Sequence, residues 1–188
     1  SNSDAKTFLI GSHLDSVPNG GRYDGALGVL VGLECLRTIK EAKLDLPVHL
    51  EVIDFTDEEG TWQSFFGSLG LTGKLDEKYW NDNEQDNGAF RVALFRAGIR
   101  PGEVQRAHRT TDDILAYLEL HIEQSEKLVK SEKQIGIVIK IVGRSTYNFH
   151  FYGEATHAAT TPREKQRDAL QAAARFITEM HTMAREEY

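Results

Sequence analysis

Residues 7–10 and 48–55 are short runs rich in β-branched and aromatic side chains, each closing on turn-forming or acidic residues, and they predict strands. Between them Ala26, Val29, Leu30, Leu33 and Leu36 recur at helical spacing. Strand, helix and strand in that order form a crossover unit, which favours a parallel sheet. Further along, Leu118, Leu120 and Ile122 alternate with Tyr117, Glu119, His121 and Glu123, a period of two that predicts another strand with His121 on its polar face. Residues 74–113 read as polar and irregular, apart from a short helix over 89–97 that Gly98, Pro101 and Gly102 bring to an end.

The pattern changes at Ile135. Two β-rich runs, 135–142 and 146–152, flank Gly143, Arg144 and Ser145 and predict a hairpin. Pro162 and Asp168 then lead into a helix whose Ala169, Ala173, Phe176, Ile177, Met180 and Ala184 form one apolar stripe. The expectation is an α/β chain in two parts: a mainly parallel-sheet domain over 1–134 and part of an α+β domain over 135–188. The second part leaves a sheet edge and a helix face to cover, which predicts self-association.

Composition narrows the class without deciding it. A hydrophobic share of 40% and a charged share of 27% are ordinary for a globular chain. The net charge of −7, with no basic cluster to offset it, argues against a nucleic-acid partner. The longest apolar stretch, 26–33, is far short of a membrane span, and no signal peptide opens the sequence, so a cytoplasmic protein without a membrane partner is expected. Cys35, the single cysteine, falls on the first helix and reads as a small core residue. Gly25, Gly28 and Gly32 do not fit a dinucleotide fingerprint and read as sites of close helix packing.

The chemistry lies at the strand ends. His13 and Asp15 follow the first strand, Asp24 comes after a glycine-rich loop, and Glu58 and Glu59 follow the second strand. His13 and Asp15 alone are a weak signal and read first as a satisfied imidazole beside a turn aspartate. The loop through Asn19, Gly20 and Gly21 changes that, because glycine lets the backbone fold back until Asp24 approaches the same ion as His13. Two adjacent carboxylates can divide the labour, one ligating metal and the other deprotonating the attacking water. In parallel sheets ligands collect beyond the carboxyl ends of the strands. These residues therefore predict a metal-dependent hydrolase.

Four ordered segments, GSHLDSVPNGGRYDGALGVLVGLE, FTDEEG, YLELHIEQ and HAATTP, closely resemble the peptidase M20 superfamily and, within it, the hydantoinase/carbamoylase family of amidohydrolases. The resemblance runs along nearly the whole chain. It implies a partial catalytic domain followed by part of a lid/dimerisation domain, two divalent metal ions (zinc, manganese, nickel or cobalt) and a homodimer formed through the lid. It also assigns roles. His13 and His121 would bind one metal, Asp24 would bridge both, and Glu59 would bind the second. Glu58 would be the general base, and Asp15 the carboxylate that orients His13 by accepting its other ring proton. His157 would help stabilise the oxyanion, and Gln124 would contact substrate. The implied reaction is hydrolysis of the ureido C–N bond of an N-carbamoyl-L-amino acid or related ureido acid, with allantoate as the alternative substrate.

Departures from the family pattern are Ser125, Ala159 and Arg163, and the Trp62, Gln63, Ser64, Phe65, Phe66 stretch after the paired glutamates. Side chains where the family has glycine narrow the site or twist its backbone. The chain also reads as a fragment that stops in the lid, so a late histidine and the carboxylate-binding lid residues fall beyond it. A reading of another class follows: an inactive fragment or pseudoenzyme with a role in folding or association.

Overall fold

A computed structural model describes residues 4–79 and 88–186. The chain divides into two compact units, Ser1–Ile135 and Gly136–Tyr188, and each is treated by itself.

The first unit is built on three parallel strands: β1 (Thr7–Ser12), β2 (His49–Asp54) and β3 (Ile114–Leu118), in the order β2-β1-β3. β1 lies between the other two and is the most buried, with Leu9 at 2% exposure. It pairs with β2 without interruption from Thr7 with His49 to Ser12 with Asp54. Against β3 it slips once: Thr7 faces Ile114 but Phe8 faces Ala116, so Leu115 is an extra residue. Helix α1 (Ala26–Glu41) links β1 to β2 and packs on both. Gly32 allows that approach, since a Cβ there would stand 3.2 Å from side-chain atoms of Ile10 and Val52.

At the amino ends of the strands a polar tie closes the sheet. Arg109 donates to Glu51 Oε2 at 2.7 Å and to Thr7 Oγ1 at 3.0 Å, joining the approach to β3 with β2 and β1.

Between β2 and β3 the chain forms α2 (Phe66–Leu71), α3 (Gly88–Arg96) and a 3-10 segment, Pro101–Ala107. The polar, irregular reading of 74–113 is corrected here, although residues 80–87 lie outside the described residues. Phe66, Phe90, Leu94 and Val104 form a buried cluster with Leu75, Tyr79 and Ile99 packed against it, and the Phe66 and Phe90 rings meet edge to face at 5.4 Å. Few apolar positions suffice because the aromatic rings supply large contact areas. A short α4 (Lys127–Lys130) follows β3.

The second unit holds α5 (Ala169–Glu186). Phe176 on α5 packs on Phe149 and Phe151, with ring centroids 4.5 and 5.6 Å away. The expected hairpin over 135–152 does not form a ladder. Each run has only the other to pair with, and an isolated two-stranded ribbon is marginal in water. Ile137 and Val142 remain 90% and 92% exposed. Among the described residues, no helix is long and apolar enough to cross a membrane.

Leu9→Ala is expected to cost the first unit about 2–5 kcal/mol, the range for a large-to-small change in a packed interior. Val129→Ala, at a position 77% exposed, should change stability by less than about 0.5 kcal/mol. Urea denaturation followed by tryptophan fluorescence measures both.

Candidate metal centre

All three strands run the same way, so their carboxyl ends share one edge of the sheet. His13 follows directly on β1, and Glu58 and Glu59 lie four and five residues past β2. His121 is three residues beyond β3, which ends at Leu118, so it does not sit on the polar face of a strand as its alternation predicts. The ladder between β1 and β3 ends at Ile10 with Leu118, two residues before β1 itself ends, so sequence alternation outlasts the strand there. Asp24 stands just before α1, where Gly25 adopts φ 65°.

His13, Asp24 and His121 bring three donor atoms within 4.8 Å of one another, and His13, Glu58 and Glu59 do the same. His13 belongs to both groups. Its Nε2 is 3.7 Å from Glu58 Oε2, and its ring is 5.9 Å from that of His121. His121 Nε2 lies 3.1 Å from Asp24 Oδ1. That oxygen is nevertheless a buried polar atom without a hydrogen bond. A buried carboxylate oxygen left without a donor costs free energy. Two imidazole nitrogens and a carboxylate converging on one point suit a divalent cation such as zinc. The donor set fits a metal, and the orphaned Asp24 oxygen is the observation that says so.

Asp15 requires a correction. His13 Nδ1 meets the main-chain carbonyl of Asp15 at 2.9 Å, while the carboxylate is 3.7 Å away. The carboxylate instead accepts the backbone N–H groups of Glu58 at 3.2 Å and Glu59 at 3.0 Å. Residue 15 therefore orients His13 through its carbonyl and holds the paired glutamates through its side chain. Its carboxylate is drawn away because two adjacent amide donors outcompete one ring nitrogen.

Asp57, which sequence reasoning passed over, holds the glutamates from the other side. It adopts φ 53°, and its carboxylate accepts N–H bonds from Thr61, Trp62 and Gln63 at 2.7, 3.0 and 2.8 Å. An aspartate before a glycine-containing loop is the signal for such a turn. Gln124 Nε2 donates to Asp24 Oδ2 at 3.1 Å, so in this structure its amide touches a candidate ligand. His157 lies in the second unit, where its Nδ1 accepts the Ala159 N–H at 3.2 Å.

Burial and charge shift two titratable groups of the site. Burial disfavours the His13 imidazolium and is the largest single influence on it. The Asp15 carbonyl and the charges of Glu58, Asp15 and Glu59 together outweigh burial, and the His13 pKa rises above 6.5. Burial also raises the Glu58 pKa; His13 opposes it, and Glu59, Asp15 and Glu119 add to it.

The sequence pattern that defines peptidase family M20/M25/M40 matches residues 9–187. With three parallel strands delivering histidine and carboxylate donors to one edge, the chain belongs to that family of metal-dependent hydrolases. It is 39% identical over 186 residues to an N-carbamoyl-L-amino acid amidohydrolase of Geobacillus stearothermophilus, covering 98% of this chain and 46% of that protein. It is 36% identical over 178 residues to an allantoate amidohydrolase of Bacillus subtilis, covering 93% and 43%. A crystal structure of a hydantoinase/carbamoylase family amidase from Burkholderia phymatum superposes with a TM-score of 0.65 at 36% identity, covering 97% of this chain and 45% of that one. The chain thus spans less than half the length of these relatives.

Two predictions follow from the geometry. A Cβ at Gly25 would fall 2.4 Å from the His13 ring, whereas one at Gly21 would meet nothing within 4 Å. Gly25→Ala should therefore shift the His13 imidazole resonances and lower stability by about 1 kcal/mol or more, since it also forces alanine into the left-handed region. Gly21→Ala should do neither, as histidine NMR and thermal melts would record.

The second concerns pH. His13 and Glu58 both hold their protons more tightly folded than unfolded. Their stabilising contribution is present in full below the ordinary values of 6.5 and 4.5, and it is lost as pH rises through the elevated ones. Metal-free protein in chelator should lose melting temperature as pH is raised through this window, and Glu58→Gln should flatten the slope. A wild-type melting temperature that climbs with pH would contradict the assignment.

Proposed function

We propose that the whole protein hydrolyses the ureido C–N bond of N-carbamoyl-L-amino acids or related ureido acids, releasing an amine, carbon dioxide and ammonia. One observation carries this reading: two imidazoles, an orphaned aspartate oxygen and a pair of adjacent glutamates converge in a chain similar to amidohydrolases. Allantoate is the second substrate, favoured by the likeness to an allantoate amidohydrolase. In this reading 1–134 is part of the catalytic domain and 135–188 part of a lid that pairs two copies. The protein acts in the cytoplasm on a small molecule.

His13, Asp24 and His121 would hold one divalent ion, and Asp24 with Glu59 would contribute to a second; zinc, manganese, nickel and cobalt all suit imidazole and carboxylate donors. When bound, such ions act as Lewis acids that acidify water and polarise a carbonyl. The protein's own part is proton handling. Glu58 is the general base: its side chain faces His13, and its raised pKa brings it nearer the value at which a carboxylate both takes a proton from water and returns it to a leaving nitrogen. Asp15 and Asp57 keep Glu58 in place through the backbone. His157, from the lid, would donate to the developing oxyanion. Gln124 either contacts substrate or steadies Asp24; its bond to Asp24 favours the second role.

In the full-length enzyme Glu58→Gln is expected to keep metal and lose turnover by on the order of 10²–10⁴-fold. Glu59→Gln is expected to lose metal. Metal analysis after dialysis, paired with ammonia release from N-carbamoyl-amino acids, 3-ureidopropionate, allantoate and dipeptides, reads both. Reversed phenotypes would exchange the two roles, and cleavage of dipeptides alone would remove the ureido-acid assignment.

A further inference from the structure

β3 stops short of the histidine it delivers. Its last ladder pair joins Leu118 to Ile10, and Glu119, Leu120 and His121 run on past it. Side chains take over at that point. Ser12, 1% exposed, directs its hydroxyl at Glu119 Oε1 over 2.5 Å. The Tyr117 hydroxyl donates to Glu119 Oε2 at 2.8 Å and lies 3.1 Å from the Gly11 carbonyl. The buried Ser12 hydroxyl demands a partner, and hydrogen bonds to a carboxylate are short and strong. Burial and the neighbouring Glu119 push the Tyr117 pKa up, so the phenol remains a donor.

The residues on either side are the candidate ligands. His13 follows Ser12 directly, and His121 is two past Glu119. Helix α1 leaves no slack behind them: a Cβ at Gly28 would fall 2.4 Å from the Leu120 carbonyl oxygen and 2.8 Å from Ser12 Cβ. Glu119 itself belongs to neither donor group.

We propose that Glu119 is a positioning residue whose carboxylate straps the carboxyl ends of β1 and β3 together and so sets the separation of His13 and His121 for a shared divalent cation. The proposal rests on reading those histidines as ligands of one ion. The strap differs from a general stabilising contact because it acts on one distance, that between two imidazoles.

The test uses the full chain and Co²⁺, whose visible absorption reports ligand geometry, in wild type, Ser12→Ala, Glu119→Gln and the double variant. Each single change is expected to weaken Co²⁺ binding by about 10–100-fold, the usual effect of removing a group that orients a ligand, and to alter the spectrum. The double variant should be no more than about twofold weaker than the worse single one, because both changes cut the same link. Circular dichroism establishes that each variant folds. Tyr117→Phe, which spares the Ser12 bond, provides a milder variant with a smaller expected loss. Affinities within about twofold of wild type with an unchanged spectrum, or losses that simply add, would overturn the strap. If wild type takes up no Co²⁺, the ligand reading fails on its own account and the strap is judged in metal-free protein. There the imidazole signals of His13 and His121 should shift in Glu119→Gln while those of His49 and His181 stay fixed. Unmoved His13 and His121 signals would defeat the proposal.

Discussion

Everything at the candidate centre depends on β1 being paired in parallel on both sides. A strand flanked in this way carries the residue after its carboxyl end to the same edge as those of its neighbours. His13, the paired glutamates and His121, which come from widely separated parts of the sequence, are brought toward that edge by the parallel ladders, and side-chain bonds hold the segments beyond the strand ends. Leu9 anchors β1 in the interior, and α1 covers the β1–β2 pair through glycines where a side chain would intrude. Arg109 fastens the opposite edge, which needs rigidity and no chemistry. The family's hydrolytic site is in this sense a by-product of topology, refined by a few polar contacts.

Those contacts are mostly made by carboxylates at the rim of the sheet. Asp15, Asp57, Glu119 and Asp54 each accept hydrogen bonds from backbone or hydroxyl donors near the site, and Asp24 is left with one oxygen unsatisfied. Burial and the neighbouring acids Glu59, Asp15 and Glu119 disfavour the charged form of Glu58 and raise its pKa, against the opposing pull of His13. A cation offsets that cost, so binding free energy becomes folding free energy. Burial first, and the neighbouring acids after it, favour the protonated form of Glu58.

Much of this was legible from residue order. The parallel crossover, α1, α3 and the helix after Asp168 follow from period and punctuation; His13 and the paired glutamates stand out by their place after strands, Asp24 by the glycine-rich loop before it, and His121 by the resemblance to the family. Other features were hidden for physical reasons. The Phe66 cluster draws on aromatic residues too scattered in sequence to show a period. The alternation through His121 persists where no partner strand remains, and the two runs after Ile135 have strand composition without a third strand to stabilise them. The Asp15 carboxylate turned toward amides that no local pattern reveals, and Ser12 and Glu119 meet across 107 positions. Long-range polar pairing leaves no periodic trace in a single sequence.

The bulge at Leu115 sits at the far end of the sheet from the centre, yet it decides which side chains face each other there. Before it the offset between β1 and β3 is 107 residues, from Thr7 to Ile114; after it the offset is 108, from Ile10 to Leu118. Along the ladder the second offset sets Leu9 opposite Tyr117 and Ile10 opposite Leu118, where the first would set them opposite Ala116 and Tyr117. Neighbouring positions in an extended chain point to opposite faces. One inserted residue therefore acts as a frameshift in space: it leaves the strands paired and exchanges Tyr117 for Leu118 opposite Ile10, at the last pair before the chain turns toward the centre.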